Sequence, residues 1–297
     1  MPEPSFPIPP AGVHGGDAPA IAAAIGRDPA EMLDLSMSLN PFAPEINDLV
    51  STHAAAAGRY PDPTDATREV AEMLGIEVGR FLLTHGASEA IRLVGTEIGG
   101  GALSEPEFGL HPRGAVGPRW RSDPHNPTGE AAGPDLDADV WDEAFLPLSD
   151  ALWTRGRPGV AIGSFTKVFA CPGLRLGYLI ADDAERFARH RPAWPMSGIA
   201  LAVLPDLVRS ATLGPWRDAI ATQRARLTDL LRSFGLDVDA ADAPWVLCGG
   251  TDLRDRLARH GVVVRDCTNF GMAGRWRIAV PDDDGMTRLA SALEAIA

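Results

Sequence analysis

The sequence has few of the features that mark secreted, membrane-embedded or metal-binding proteins. Its three cysteines, Cys171, Cys248 and Cys267, lie far apart, and none belongs to a C-x-x-C pair. This pattern predicts neither a disulfide framework nor a zinc site, and it is typical of a reducing compartment. No apolar run approaches the roughly 20 residues that cross a bilayer. We therefore expect a cytoplasmic protein with no membrane partner and no metal.

Positive charge is also scarce. The chain carries 27 lysine and arginine residues against 40 aspartate and glutamate residues, a formal net charge of −13 at pH 7. Such an acidic chain is a poor partner for nucleic acid or for an anionic membrane. A small anionic substrate remains possible, because arginines at contact distance outweigh the net charge. The length of 297 residues allows one large core or two modest domains.

The central stretch of the chain, residues 160–181, places one lysine between two apolar runs of strand length. The pattern V-A-I-G-S-F-T-K-V-F-A-C-P-G-L-R-L-G-Y-L-I-A predicts a strand, a loop and a strand. Ser164, Thr166, Lys167 and Arg175 lie in that loop and could form an anion pocket. A partly desolvated lysine there is suited to covalent chemistry. The segment alone favours the alternative, a solvated lysine in a surface loop, so partners elsewhere in the chain must decide.

S-F-T-K followed by P-G-L-R-L-G-Y resembles the cofactor-lysine segment of fold-type-I pyridoxal-phosphate enzymes, the class I/II aminotransferase superfamily. Within it, the segment is most similar to histidinol-phosphate aminotransferases and to threonine-phosphate decarboxylases of cobalamin synthesis. The resemblance implies that Lys167 binds pyridoxal 5′-phosphate (PLP) covalently. It also implies that Ser164, Thr166 and Arg175 hold the cofactor phosphate.

The same resemblance implies an α/β fold of the aspartate-aminotransferase type. We expect an N-terminal arm over residues 1–30, a large cofactor domain with a mostly parallel sheet over residues 31–195, and a small α/β domain over residues 196–297. The family has room for a strand, a helix and another strand between His111 and Asp123, where this chain has eleven residues. The interval from Asn126 to Asp142 is shortened too, so the predicted large domain is abbreviated between residues 111 and 142 and lacks one or two strands.

Further motifs follow in the family order. F-L-L-T-H-G-A-S-E predicts a strand, a turn and a helix from Ser88, whose first backbone amides attract an anion. An ordinary helix cap by Ser88 is the alternative. The resemblance implies a phosphate cup formed by Gly86, Ala87 and Ser88. In P-E-F-G-L-H it implies that Phe108 stacks on the cofactor ring and that His111 supports the acid at the ring nitrogen, although a core phenylalanine and histidine would look the same.

D-P-H-N-P-T-G and W-D-E-A-F supply two polar candidates. The resemblance implies that Asn126 hydrogen-bonds the O3′ atom of PLP. It also implies that Asp142 keeps the pyridine nitrogen protonated, which makes the ring a strong electron acceptor. A surface acid is the alternative for Asp142. Aminotransferases usually carry tyrosine where Phe145 stands, whereas the decarboxylase branch commonly has phenylalanine.

R-Y-P-D is a turn with a tyrosine that could simply pack. In the histidinol-phosphate aminotransferase group, this tyrosine reaches the cofactor phosphate of the neighbouring subunit. The resemblance therefore implies that Tyr60 does so, in a homodimer with shared active sites.

The substrate candidates lie near the two ends of the chain. H-G-G-D coupled to L-D-L-S-M-S-L-N-P resembles the N-terminal signature of the decarboxylases, which implies that His14 and Asn40 line the substrate site. Arg265 and Arg277 end apolar strands, where a guanidinium is either solvated or binds a carboxylate. The resemblance implies that Arg277 binds the substrate α-carboxylate and Arg265 a substrate phosphate.

The sequence leaves two reactions open, decarboxylation and transamination. If the bond to the carboxylate stands perpendicular to the ring, the enzyme decarboxylates. If the Cα–H bond does, Lys167 removes that proton and transamination follows. H-G-G, R-D-C-x-N-F and Phe145 favour decarboxylation of L-threonine O-3-phosphate. An aminotransferase of the histidinol-phosphate type is the alternative, and a truncated, non-catalytic protein is a third hypothesis.

Overall fold

The computed structural model describes residues 7–101, 103 and 105–297. The first six residues of the expected N-terminal arm thus lie outside the described part. The helices, other than short 3-10 turns, are α1 Ala18–Ile25, α2 Asn47–Thr52, α3 Thr64–Leu74, α4 Gly86–Ile98, α5 Leu146–Ser149, α6 Phe165–Val168, α7 Glu185–Ala188, α8 Gly198–Ser210, α9 Leu213–Ser233, α10 Leu253–Arg259 and α11 Asp283–Ile296. The strands are β1 Leu33–Asp34, β2 Phe81–His85, β3 Trp120–Ser122, β4 Val140–Asp142, β5 Val160–Gly163, β6 Leu176–Ile180, β7 Trp245–Gly249, β8 Val262–Val263, β9 Arg265–Asp266 and β10 Arg275–Ala279. None of these helices is long and apolar enough to cross a membrane.

A five-stranded mixed sheet forms the centre of the larger part, in the order β2-β6-β5-β4-β3. Neighbours β3, β4 and β5 pair in parallel, while β6 is antiparallel to both β5 and β2. Four of the five strands therefore run in one direction. The expected α/β class with a mostly parallel sheet is confirmed.

Both faces of this sheet are covered by helices, because its strands are apolar on both sides. Phe81 and Leu83 of β2 join a buried cluster with α3 and α8. Leu82 of the same strand packs against the opposite cluster, which is built from α4 and α7. A strand buried on both faces and covered by a helix layer on each is the usual arrangement of α/β sheets.

The topology brings several loops to one edge of the sheet, the one formed by the carboxyl ends of its parallel strands. Strands β2, β3, β4 and β5 all end at that edge, and the antiparallel β6 begins there. The residues that follow or precede these strand ends include most of the predicted cofactor-binding positions. In α/β sheets the crevice at the carboxyl ends of the strands is the usual ligand site.

The shortened stretch between His111 and Asp123 holds the three-residue strand β3 and, among the residues described there, no helix. A stretch of only eleven residues is too short for more elements than this. Leu103 makes a parallel bridge to Trp120 beyond the edge strand, and Gly101 bridges to Arg113. The outer side of the edge strand β3 is therefore partly covered by the chain segment that precedes it.

The C-terminal part has its own antiparallel sheet, in the order β7-β10-β9, packed against α9, α10 and α11. Strand β1 pairs in parallel with β8, with Leu33 opposite Val262. The early segment around residue 33 thus packs with the C-terminal part. The division into residues 1–30, 31–195 and 196–297 stays a prediction.

The structure differs from the expected loop around the lysine, because residues 165–168 form one helical turn, α6. The reason is the spacing of three apolar residues. Phe165, Val168 and Phe169 are fully buried, and positions three and four apart share one face of a helix. Burying that face leaves Lys167 on the other side of the turn, facing the edge of the sheet.

Candidate active site

A cavity of about 380 Å³ opens at the carboxyl edge of the large sheet, between that sheet and the C-terminal part. Its volume lies within the usual range of small-molecule sites. The predicted residues in its wall are His14, Ala87, Ser88, Phe108, Asn126, Asp142, Ser164, Thr166, Lys167, Arg175, Arg265 and Arg277. The structure therefore brings together residues from nearly the whole length of the chain.

Four predicted residues lie outside this wall. Gly86 is buried next to the wall, and His111 lies behind Asp142. Asn40 is buried beneath α6, where its side chain donates to the Val168 carbonyl at 2.9 Å and its backbone amide donates to the Lys167 carbonyl at 3.0 Å. Tyr60 is 77% exposed and lines a separate groove. Asn40 therefore supports the turn that carries Lys167, and its predicted contact with substrate stays a prediction.

Lys167 projects from α6 into the cavity. Among the residues that the structure describes, no hydrogen bond or ion pair holds its amine, and the Phe145 ring lies 5.5 Å from Nζ. The pKa of Lys167 is lowered to about 8, mainly by burial and in part by the charges of Arg277 and Arg175, which outweigh the opposing charges of Asp142 and Asp34. An amine with such a pKa is partly neutral near physiological pH, which is the form that attacks a carbonyl or accepts a proton.

Asp142 ends β4 and lines the same cavity. Its Oδ2 lies 3.0 Å from His111 Nε2, and its Oδ1 accepts a hydrogen bond from the Ala144 amide at 3.1 Å. Both bonds lie in the interior, so they fix the orientation of the carboxylate. The Phe108 ring meets the His111 ring edge-on, with 5.6 Å between centroids, and faces the cavity from the same side.

The start of α4 and the Arg175 guanidinium form an anion subsite. Gly86 has a φ of +73°, and a Cβ atom there would lie 2.6 Å from Arg175 Nη2. Only glycine allows this approach, which brings the guanidinium beside the free backbone amides at the first turn of the helix. A positive charge and helix-start amides together suit a phosphate.

Thr166 and Ser164 differ in what their hydroxyls do. Thr166 Oγ1 donates to the Leu176 carbonyl and accepts from the Leu176 amide, both at 3.0 Å. It thus ties α6 to β6, which the sequence pattern did not predict. The Ser164 hydroxyl makes no cap hydrogen bond to α6 and lines the cavity. Of the two, Ser164 is the better placed for the anion.

The third side of the cavity carries two arginines from the C-terminal sheet. Arg277 donates to Asn126 Oδ1 at 2.6 Å and lies over the Trp245 ring at 5.0 Å from its centroid. Burial lowers the pKa of Arg277 to about 10. Arg265 donates to the Gly12 carbonyl at 2.7 Å and also binds the Val13 carbonyl. Arg265 therefore holds the segment that carries His14.

Sequence reasoning passed over Ser36, which lines this wall, and Asn269, which supports Arg265. Ser36 lines the cavity, and its hydroxyl accepts from the Gly16 amide at 2.8 Å, which anchors the H-G-G-D loop. Asn269 binds both Arg265 and the Val13 carbonyl, each at 2.9 Å. Both belong to motifs whose other members were singled out, so the motifs themselves contained the signal.

The amino-acid composition also singles out Lys167. Lys167 is the only lysine in the chain, and every other basic residue apart from histidine is an arginine. No other lysine can form a covalent bond to an aldehyde. This makes the attachment point of any such ligand directly testable.

The wall of the cavity is cationic although the chain is acidic. Lys167, Arg175, Arg265 and Arg277 all reach it, against the single carboxylate of Asp142. The pKa of His14, at the mouth, is lowered by burial and by the charges of Arg265 and Lys167. A ligand with two anionic groups would be attracted to such a site.

Comparison with known proteins identifies the family. The family model of class I and II aminotransferases matches residues 122–293, more than half of the chain. The chain belongs to the class I and II aminotransferase family.

Relatives of this aminotransferase-family chain include two kinds of enzyme. The histidinol-phosphate aminotransferase of Natronomonas pharaonis is 25% identical over 325 residues, covering 87% of this chain and 89% of the relative. The threonine-phosphate decarboxylase of a Sinorhizobium species is 28% identical over 332 residues, covering 95% and 97%. Both alignments are longer than the 297 residues of this chain, in agreement with its shortened stretch.

Solved structures place the fold. The histidinol-phosphate aminotransferase of Sinorhizobium meliloti, solved in complex with pyridoxal 5′-phosphate, superposes with a TM-score of 0.77 at 20% identity, covering 94% of this chain and 95% of that one. The expected aspartate-aminotransferase-like fold is therefore confirmed.

The residues present in this family member fit PLP. The cavity offers one free amine, Lys167, for the aldehyde and a cradle at Gly86 and Arg175 that leaves no room for a Cβ atom. It also offers a fixed carboxylate, Asp142, for the ring nitrogen. Each end of the cofactor thus finds a group of matching chemistry.

Gly86→Ala tests the cradle, with Gly75→Ala as a matched control. Gly75 has a φ of +69°, close to that of Gly86, but its Cβ position meets no atom within 4 Å. Both substitutions should cost about 1–2 kcal/mol of stability through backbone strain. Only Gly86→Ala should weaken PLP binding, by at least about tenfold, since it displaces the charged partner of the phosphate. Equal PLP affinities of the two variants in a titration would contradict the assignment.

The pKa of Lys167 sets the pH dependence of cofactor attachment. Since attack on the PLP aldehyde needs the neutral amine, the attachment rate should rise about tenfold per pH unit below pH 8 and level off above it. Attachment to free Nα-acetyl-lysine, with a pKa of about 10.4, should keep rising to higher pH. Stopped-flow absorbance on the apoprotein measures the rate. A protein profile that rises in parallel with the free amine would contradict a lowered pKa.

Proposed function

We propose that this chain is a PLP-dependent enzyme that transfers the amino group of a small substrate carrying a phosphate. Its cofactor is pyridoxal 5′-phosphate. The observation that carries the proposal is Lys167, an amine with a pKa of about 8 in a cavity that is also lined by the fixed carboxylate of Asp142. These are the two groups that amino-group chemistry on PLP requires.

Each residue has a separate task in this proposal. Bound PLP supplies an electron-accepting ring. Asp142, held by His111, accepts the proton of the ring nitrogen in a hydrogen bond. Arg175 and the amides at the start of α4 bind the phosphate. Lys167 Nζ would hold PLP through its aldehyde and would move a proton from and to the substrate Cα.

The cationic wall supports an anionic substrate. Arg277 lines the cavity, where Nη1 donates to Asn126 and Nη2 donates to the Ser36 carbonyl at 3.4 Å. A planar guanidinium in this wall suits a substrate carboxylate. Arg265 and His14 both line the cavity, close enough for the charge of Arg265 to lower the pKa of His14, and they suit a substrate phosphate. Histidinol-phosphate aminotransferase and threonine-phosphate decarboxylase, the names of the relatives, both indicate a phosphorylated substrate.

Decarboxylation is the second candidate. The sequence motifs favoured it, whereas the aminotransferase family model and the names of most reported relatives favour amino transfer. Phe145 supports decarboxylation, because the ring that lies 5.5 Å from Lys167 Nζ lacks the hydroxyl of the tyrosine that aminotransferases usually carry at this position. The relative named threonine-phosphate decarboxylase also covers nearly the whole chain.

Product analysis decides between the two. PLP-loaded protein is mixed with L-histidinol phosphate plus 2-oxoglutarate, and separately with L-threonine O-phosphate alone. Glutamate in the first mixture supports amino transfer. Carbon dioxide and aminopropanol phosphate in the second would contradict it and establish decarboxylation. If neither mixture gives a product and the cofactor is not converted to its amine form, both candidates are contradicted.

We also propose that the enzyme acts as a homodimer in which Tyr60 reaches the cofactor phosphate of a second copy. Tyr60 and Trp194 stack on the surface with 4.5 Å between ring centroids, and they are 77% and 59% exposed. Sedimentation should give twice the mass of the 31.5 kDa chain. Tyr60→Ala should weaken PLP binding, and its effect should depend on protein concentration. A wild-type monomer with full PLP affinity would refute the proposal.

A further inference from the structure

Glu107 is a buried acid for which the proposed function has no use. It is 1% exposed. Its carboxylate accepts hydrogen bonds from the Phe108 amide at 3.1 Å, from the Ser122 amide at 3.2 Å and from the Ser122 hydroxyl. Burial raises the pKa of Glu107, while His111 and the Ser122 hydrogen bonds act in the opposite direction. Three donors on one carboxylate favour its charged form.

The Glu107 carboxylate lies on the Nδ1 side of the His111 ring, away from Asp142. Nε2 of that ring is 3.0 Å from Asp142 Oδ2, while Nδ1 has no hydrogen-bond partner among the described residues and lies 3.7 Å from Glu107 Oε1. Asp142, His111 and Glu107 thus form a line from the cavity wall into the interior. One imidazole ring separates two carboxylates.

The other charged groups around Glu107 face its second oxygen. His125 Nε2 is 3.8 Å and Arg121 Nη1 is 4.0 Å from Oε2. Burial lowers the pKa of His125 to about 4, so this histidine is neutral at neutral pH. Its ring nitrogens are occupied by the Pro106 carbonyl and the Thr128 hydroxyl. His125 and Arg121 both lie at Oε2, whereas Oε1 is the oxygen that faces His111.

We propose that Glu107 is a positioning residue that acts through His111 and Asp142 on the ring nitrogen of PLP. Two carboxylates around one imidazole leave the line with a net negative charge directed at the cavity. In a dry interior this charge favours a proton on the nitrogen of a bound pyridine. Glu107 thereby deepens the electron-accepting character of the ring. The inference rests on the cofactor alone and holds for amino transfer and for decarboxylation.

The test compares two ligands on the apoprotein. One is PLP, and the other is its analogue with carbon in place of the ring nitrogen, which keeps the aldehyde and the phosphate. Glu107→Gln should weaken PLP binding about tenfold, the effect of one unit in the pKa of the ring nitrogen. It should leave affinity for the carbon analogue unchanged, because that analogue has no proton to hold.

Two further variants give the controls. Glu143→Gln removes another buried carboxylate, next to Asp142 in the chain but bonded to the Arg155 amide at 3.2 and 3.3 Å, and should change neither affinity. In an Asp142→Asn background, Glu107→Gln should cause no further loss of PLP affinity, since its path is already broken. Equal losses for both ligands, no loss for either, or the same PLP-specific loss in Glu143→Gln would overturn the inference. Product analysis, which decides the reaction, is independent of all these outcomes.

Discussion

Replacing Lys167 by methionine is expected to abolish covalent cofactor binding and to lower kcat by about 10²–10⁴-fold. The effect is large because one amine carries the cofactor and moves the substrate proton. Lys167 is the only lysine, so no neighbouring lysine can take over. Single-turnover measurements on variant and wild-type protein, each saturated with PLP and substrate, give the comparison.

The stability of the Lys167→Met variant is the control for this prediction. Burial disfavours the charged amine, as its pKa of about 8 indicates, so a neutral side chain of similar length should not destabilise the fold at pH 7. The apoprotein of the variant should melt at a temperature no lower than that of the wild type. Activity within tenfold of wild type in a folded variant would exclude Lys167 as the proton carrier.

Asp142→Asn should have the second largest effect, lowering kcat about 10- to 100-fold through loss of a charge-assisted hydrogen bond. The amide keeps the shape of the side chain but cannot hold a proton on the ring nitrogen. His111 fixes this carboxylate from behind at 3.0 Å, so the position itself should be preserved. Steady-state kinetics with saturating PLP measures the effect.

Glu143→Gln is the matched control for Asp142→Asn as well. Both acids are buried and adjacent in the chain, but only Asp142 lines the cavity. The control should retain wild-type kcat. A comparable loss in both variants would mean that the Asp142 effect comes from general disruption of the β4 end.

The motifs predicted the fold class and the family because they occur in a fixed order around strand ends. Asp142 ends β4, Lys167 follows β5 and Arg175 precedes β6, and these strand ends meet at the same edge of the sheet. A parallel sheet converts such an order into proximity. This is why the linear pattern was sufficient to assemble the wall of the cavity.

Local patterns did not predict which partner each side chain would choose. Thr166 is bonded on both sides by Leu176, and Asn40 supports the turn that carries Lys167. Arg265 binds carbonyls of the N-terminal segment more than 250 positions away. Such contacts depend on the packing of distant segments, which no motif describes.

The central claim is that PLP is bound to Lys167, and one measurement tests it directly. PLP-loaded protein is treated with borohydride, which reduces the link between the cofactor aldehyde and an amine to a stable bond, and peptides are then analysed by mass spectrometry. The account predicts one pyridoxyl-phosphate adduct per chain, on the peptide that contains Lys167. No adduct, or an adduct on the N-terminal amine alone, would contradict it.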